Sequence, residues 1–178
     1  CSANRTGTLH CAHSQKGFED IQDRYQQLTE RGAELELLGR EEAEKRIGSS
    51  RFYGALLNKK AGTINPLSYC RGLARAAQSK GANIYESSLA TKIEHKGNFW
   101  EIQTESGSIQ SKMLLIATNA YQQNIKGIDS SKYTPVYYFQ AATKPLSKDS
   151  LEGILTNNEG CWDTATVMSS FRLDDENR

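Results

Sequence analysis

One stretch, Leu114–Gln123 (LLIATNAYQQ), constrains the fold of this chain more than any other. Met113–Ala117 is a short apolar run without helical periodicity, set between the polar SIQSK and Thr118-Asn119. Such a run reads as a strand buried on both faces, as in a parallel sheet. It gives way to small and capping residues and then to a helix-like YQQNIKG, and in α/β folds a strand end of this kind is where ligands sit. A dinucleotide there would also need a tight glycine-rich turn, so that backbone N–H groups can approach the pyrophosphate. The chain contains no GxGxxG and no GxxxxGK[ST]. A self-contained nucleotide domain is therefore not expected. The run also has few evident parallel neighbours, so its sheet is expected to draw strands from elsewhere.

The rest of the composition narrows the class. At 178 residues the chain is long enough for a real core, since a domain of this size buries roughly two thirds of its unfolded surface. Charged residues make up 24% and the net charge is +1. This mixture gives no electrostatic reason to expect nucleic acid or an acidic membrane as a partner. No apolar run approaches the length of a membrane span, and CSANRTG lacks the basic-then-apolar order of a signal peptide. Cys1, Cys11, Cys70 and Cys161 include no CxxC pair. Cys11 and His13 would share one strand face, but two ligands do not make a metal site. Scattered free thiols suit a reducing compartment, so a cytoplasmic protein is expected and no metal is assigned.

Along the chain, residues 6–13 read as a strand. Lys16–Glu30 reads as an amphipathic helix with Phe18, Ile21, Tyr25 and Leu28 on one stripe, stopped by Gly32. Glu34–Leu38 reads as a strand, Arg40–Ile47 as a helix opening on two glutamates, and residues 52–57 as another strand. Asn65-Pro66 is a cap and first-turn pair for a helix with Leu67, Cys70, Leu73, Ala74 and Ala77 on one face, ending at Gly81. ANIYES reads as a strand. Leu89–His95, Phe99–Thr104 and Ser108–Ser111 read as an antiparallel meander, split by Lys96-Gly97-Asn98 and Glu105-Ser106-Gly107. Thr134–Thr143 is a β-rich run with three successive aromatics. Further strands are expected near Cys161-Trp162 and over Thr166–Leu173.

Taken together, GTIN-PLSYCRGLARAAQSKGANIYESSLATKIEHKGNFWEIQTESGSIQSKMLLIATNAY resembles the middle of the D-amino-acid oxidase-like superfamily of FAD-dependent amine and amino-acid oxidoreductases. Within it the resemblance is strongest to the gamma-glutamylputrescine oxidoreductase branch. The counterparts are Asn65-Pro66, Gly81-Ala82, Ala117–Tyr121, Ala142–Leu146, Asp163, Phe171–Leu173 and Arg178. The resemblance implies a mixed α+β and α/β fold: a mostly antiparallel substrate-domain sheet plus partial Rossmann-like FAD-domain elements. Residues 1–64 and 122–178 then fall to the substrate domain and 65–121 to the FAD domain. Family members carry a GxGxxG before such a region and a flavin-contacting segment after it, so the chain is expected to be an interior piece, inactive alone. FAD is the implied cofactor and a small amine or amino acid the implied substrate.

The resemblance also assigns residues. Ala90 stands where the family strand meets the adenine end of FAD through its backbone, and Ala117, Thr118 and Asn119 stand where the family passes close to the cofactor. Tyr137, Tyr138 and Phe139 are candidates for the wall of a substrate cleft, although aromatic stripes also build cores. Arg172 lies within a strand and needs a partner or a route to water. In relatives with carboxylate substrates an arginine on the antiparallel sheet clamps the substrate, and a solvent-facing structural role is the alternative. Ala165 and Ser170 depart from the branch, which tends to carry arginine and an aromatic there. A different class stays open as well: a stand-alone α+β binding or structural module derived from such an enzyme, its bare sheet edges protected by dimerisation.

Overall fold

The computed structural model describes residues 2–121, 125–129 and 134–178. The chain divides into two compact units, residues 1–76 with 141–178 and residues 77–140. The first unit is built on a five-stranded sheet in the order β2-β3-β1-β7-β8, from β1 (Thr8–Cys11), β2 (Leu35–Leu38), β3 (Ala55–Asn58), β7 (Gly160–Asp163) and β8 (Ser170–Phe171). Pairing is antiparallel except between β1 and β7, where Leu9 faces Cys161 and His10 faces Trp162. Strand alternation then sorts the side chains into two cores. Leu9, Cys11, Leu57 and Cys161 meet Ala43 and Ile47 of α2 (Arg40–Ile47) on one face. On the other, Leu56 and Ala12 meet Phe18, Ile21 and Tyr25 of α1 (Gln15–Glu30). The expected helix stripe is the buried one.

Local chemistry explains the helix ends. Ser14 caps α1, its hydroxyl accepting the Gly17 N–H at 3.1 Å. Gly17 has a packing reason too, since a Cβ there would collide with the Thr164 hydroxyl. α2 carries Glu41 and Glu42 in its first turn and Lys45 and Arg46 in its last, both favourable to the helix dipole. Its C-terminal end is clipped by the Thr156 and Leu155 N–H groups, which donate to the Arg46 and Ile47 carbonyls. Arg46 also reaches the buried Glu159 carboxylate at 3.4 Å. α3 (Pro66–Ser79) begins where Asn65 accepts the Ser68 N–H at 2.9 Å, as the Asn-Pro pair foretells. None of its residues is buried.

The second unit contains the expected meander, β4 (Ala90–Lys96), β5 (Phe99–Thr104) and β6 (Ser108–Ser111), all antiparallel. Lys96 faces Phe99 across the two-residue loop Gly97-Asn98. The outer edge of β4 is bridged by Lys126, whose carbonyl accepts the Ile93 N–H at 2.8 Å and whose N–H donates to Thr91 at 3.0 Å. Gly127 permits this approach: it sits at φ +101°, and a Cβ would strike the Ile93 carbonyl.

Several expected strands do not form. Met113–Ala117 pairs with nothing among the described residues, and Met113, Leu115 and Ile116 are exposed. A doubly buried strand needs ladder partners and a cover on both faces, and the three-stranded sheet stops at β6. Residues 82–87 and 134–143 are likewise unpaired, with Tyr85, Tyr137, Tyr138 and Phe139 exposed. Of Thr166–Leu173 only Ser170–Phe171 joins a sheet, held by Phe171 stacking on Phe52. The strand expected over 52–57 starts at Ala55, after Gly54 at φ +155°. Of the helix-like Tyr121–Gly127, residues 122–124 lie outside the described set, and a 3-10 turn spans Asn119–Tyr121.

Candidate functional site

Seven of the eight residues assigned from sequence lie in the second unit and one, Arg172, in the first. Ala90 opens β4 opposite Thr104 and is half-buried; the register slips between Ala90 and Lys92, so the ladder is irregular at its start. Ala117 and Asn119 are exposed and Thr118 half-buried. Asn119 takes φ +49°, a conformation Asn tolerates better than most residues, and the Thr118 carbonyl accepts the Tyr121 N–H at 2.9 Å. Tyr137, Tyr138 and Phe139 lie in an unpaired segment, Phe139 at 98% exposure. They belong to no core among the described residues.

Arg172 follows β8 and is half-buried. Its Nη1 makes one long hydrogen bond, 3.5 Å to the Leu173 carbonyl. It lines a groove of about 110 Å³ with Asn65, Asp174, Asp175, Glu176 and Arg178. Asp174 is already occupied: its Oδ1 accepts the Glu176 and Arg178 N–H groups, and Arg178 Nε reaches its Oδ2 at 3.0 Å. The Arg178 backbone N–H foremost, then that of Glu176, holds the Asp174 carboxyl below the usual carboxylate range. With Asp174 turned to Arg178, no ion pair within 4 Å engages the Arg172 guanidinium among the described residues.

A larger cleft, about 280 Å³, opens between α1 and the β7 end of the first unit. His10 lines it, stacked on Trp162 with ring centroids 5.1 Å apart. His10 is only 8% exposed, and its Nδ1 has no hydrogen-bond partner among the described residues. Burial first, and the Arg24 charge second, lower its pKa, opposed by Asp163. Asp163 is engaged in turn, accepting the Ala165 N–H at 3.0 Å and the Ser169 N–H at 3.3 Å. His13 lies beyond β1, not on a shared face with Cys11, and pairs with the Thr164 hydroxyl at 2.7 Å. No sequence signal pointed to this cleft, because it depends on the parallel register that sets His10 beside Trp162, 152 positions away. On the opposite face of the sheet Cys161 is buried against Cys11, which with burial pushes its thiol pKa far up and leaves it inert.

A family model described as DAO, FAD dependent oxidoreductase, matches residues 1–178. The chain belongs to the FAD dependent oxidoreductase family. Among similar members, a probable oxidoreductase OrdL of Rhizobium meliloti is 33% identical over 97% of this chain and 40% of its own length. The gamma-glutamylputrescine oxidoreductase of Escherichia coli is 27% identical over 98% of this chain and 41% of its own. The chain thus spans about two fifths of the curated relatives it matches. Its fold is similar to that of L-proline dehydrogenase from P. horikoshii, with TM-score 0.74 at 17% identity over 99% of this chain and 48% of the other. Glycine oxidase from Geobacillus kaustophilus gives 0.57 at 20% identity over 62% and 30%. These last two likenesses are of fold.

The family is described by its dependence on FAD. The residues that the sequence assigns to such a group are small or exposed. Ala117 and Asn119 are exposed where the backbone turns, and the short side chain of Ala90 stands at a slipped register, so main-chain atoms are approachable. The pyrophosphate is another matter, since the chain has no glycine-rich turn to cradle it. No helix among the described residues is long and apolar enough to cross a membrane.

Proposed function

We propose that the chain forms part of an FAD-dependent oxidoreductase that oxidises the C–N bond of a small amine or amino acid. The end-to-end family match over residues 1–178 carries this reading. The gamma-glutamylputrescine oxidoreductase among its relatives supports the amine class and the branch suggested by the sequence. In this reading Ala90 and Ala117–Asn119 meet the cofactor through their backbone. Arg172, whose guanidinium is not committed to an ion pair among the described residues, receives a substrate carboxylate as a two-pronged donor. Tyr137, Tyr138 and Phe139 supply apolar wall that keeps water from the reacting carbon. FAD, when bound, accepts the hydride equivalent, and the protein's work is orientation and exclusion of water. The 178 residues alone are inactive because they supply no pyrophosphate cradle.

The test is to express the chain both alone and extended on either side to the length of its relatives. The extended protein should purify with flavin absorbance that bleaches anaerobically on adding its amine or amino-acid substrate, and the 178-residue chain should take up none. An extended protein that neither carries flavin nor can be loaded with it refutes the proposal. Within an active protein, Arg172→Met should raise KM for carboxylate-bearing substrates while leaving simple amines unaffected. One observation favours a second reading, a stand-alone module: the first unit has two cores of its own. A monodisperse dimer of the 178-residue chain that unfolds cooperatively would support it.

A further inference from the structure

The cleft beside α1 contains none of the eight residues assigned above, and its chemistry is unspent. Asp20 and Arg24 stand one helical turn apart on α1 and both line it. At this spacing an aspartate and an arginine commonly pair. Here no ion pair within 4 Å joins them, and neither makes a side-chain hydrogen bond among the described residues. The floor is the buried His10, with its unpartnered Nδ1, stacked on Trp162. Ile21, Trp162 and Met168 add apolar wall.

The charges select the ligand. Among the described residues lining the cleft, Arg24 is the one arginine or lysine, faced by the carboxylates of Asp20 and Asp163, the latter with only its Oδ1 taken by the Ala165 and Ser169 N–H groups. A plain carboxylate would be drawn to Arg24 and repelled by Asp20 and Asp163, and a plain amine would meet the reverse. A molecule carrying both charges a few bonds apart satisfies both.

We propose that this cleft binds a small zwitterion of the free amino-acid type. Its carboxylate is held by Arg24, its ammonium by Asp20 and Asp163, and its apolar side chain by Trp162 and Met168. The site is separate from the flavin reading, because none of the residues assigned to cofactor or substrate lines it.

The test uses the 178-residue chain with Trp100→Phe, which leaves Trp162 as the only tryptophan. Leucine is the probe, against isocaproate, which lacks the amine, and isoamylamine, which lacks the carboxylate. Leucine should shift Trp162 emission saturably, with both single-charge probes about tenfold weaker or worse, as expected for loss of one charge-assisted contact. Asp20→Asn and Arg24→Gln should each weaken leucine to a similar degree. Both positions are on the exposed side of α1, so an unchanged thermal transition will show that the variants fold. No saturable response to leucine overturns the proposal. So does equal binding of either single-charge probe, or leucine binding that survives both substitutions.

Discussion

The two units answer the same sequence signal differently. In the first, apolar alternation in β1, β3 and β7 ends in two cores on opposite faces of one sheet, because Leu56 and Leu57 each find a helix waiting. In the second, the apolar runs of Met113–Ala117 and Val136–Phe139 are richer still, yet Leu115 is 87% and Val136 85% exposed. Apolarity states what a residue requires. Burial is delivered only where partner strands and covering helices lie within the same unit. The family relatives are more than twice as long as this chain, and we expect the exposed runs of the second unit to be covered in proteins of that length.

The largest contrast should come from truncating one leucine in each setting. Leu57 is 1% exposed within the α2-side core, so Leu57→Ala should cost about 2–5 kcal/mol. Leu115→Ala should stay within about 0.5 kcal/mol of the parent. Urea unfolding with an unchanged slope measures both, and comparable losses at the two positions would break the contrast. Next comes Gly127→Ala, which forces a side chain into φ +101° against the Ile93 carbonyl. We expect roughly 1–3 kcal/mol, read as faster amide exchange at Ile93 and Lys126 with little change around β1.

Smaller effects sharpen the comparison at the helix caps. Ser14→Ala removes the acceptor of the Gly17 N–H from a helix whose Ile21 is fully buried. It should lower global stability by about 1 kcal/mol. Asn65→Ala removes the equivalent acceptor from α3, none of whose residues is buried. That change should lower helical circular dichroism by fraying while the main unfolding midpoint stays put. A midpoint shift equal to that of Ser14→Ala would mean that α3 is tied to a core after all.

What was legible in the sequence was whatever is decided locally. The Asn65-Pro66 start, the Gly32 stop and the Gly97-Asn98 hairpin rest on contacts a few residues apart, and the α1 stripe on a helical period written within one segment. What needed distant partners was not. The ANIYES strand and the long aromatic run were read from propensity, and propensity does not say whether a neighbour exists. The FAD dependent oxidoreductase family was legible because many weak local matches fall in one order. The His10–Trp162 cleft was invisible, since a parallel pairing across 152 positions sets its geometry.

The smallest expected effect is a pH slope that belongs to the first unit. His10 is held below its ordinary pKa chiefly by burial, then by Arg24, while Asp163 pulls the other way. Its folded pKa is therefore below its unfolded one, and between the two values the unfolded chain binds more protons. By linkage, stability rises with pH in that interval. The contribution is complete above the unfolded histidine value, near 6.5. It is lost progressively as pH falls towards the folded value. No single-proton effect can be steeper than about 1.4 kcal/mol per pH unit. Unfolding midpoints measured across that interval should decline on acidification, and His10→Asn should flatten the decline while Trp162 remains packed. If the slope persists unchanged in His10→Asn, another group is responsible, and the buried imidazole beside the cleft is not the neutral partner that its surroundings impose.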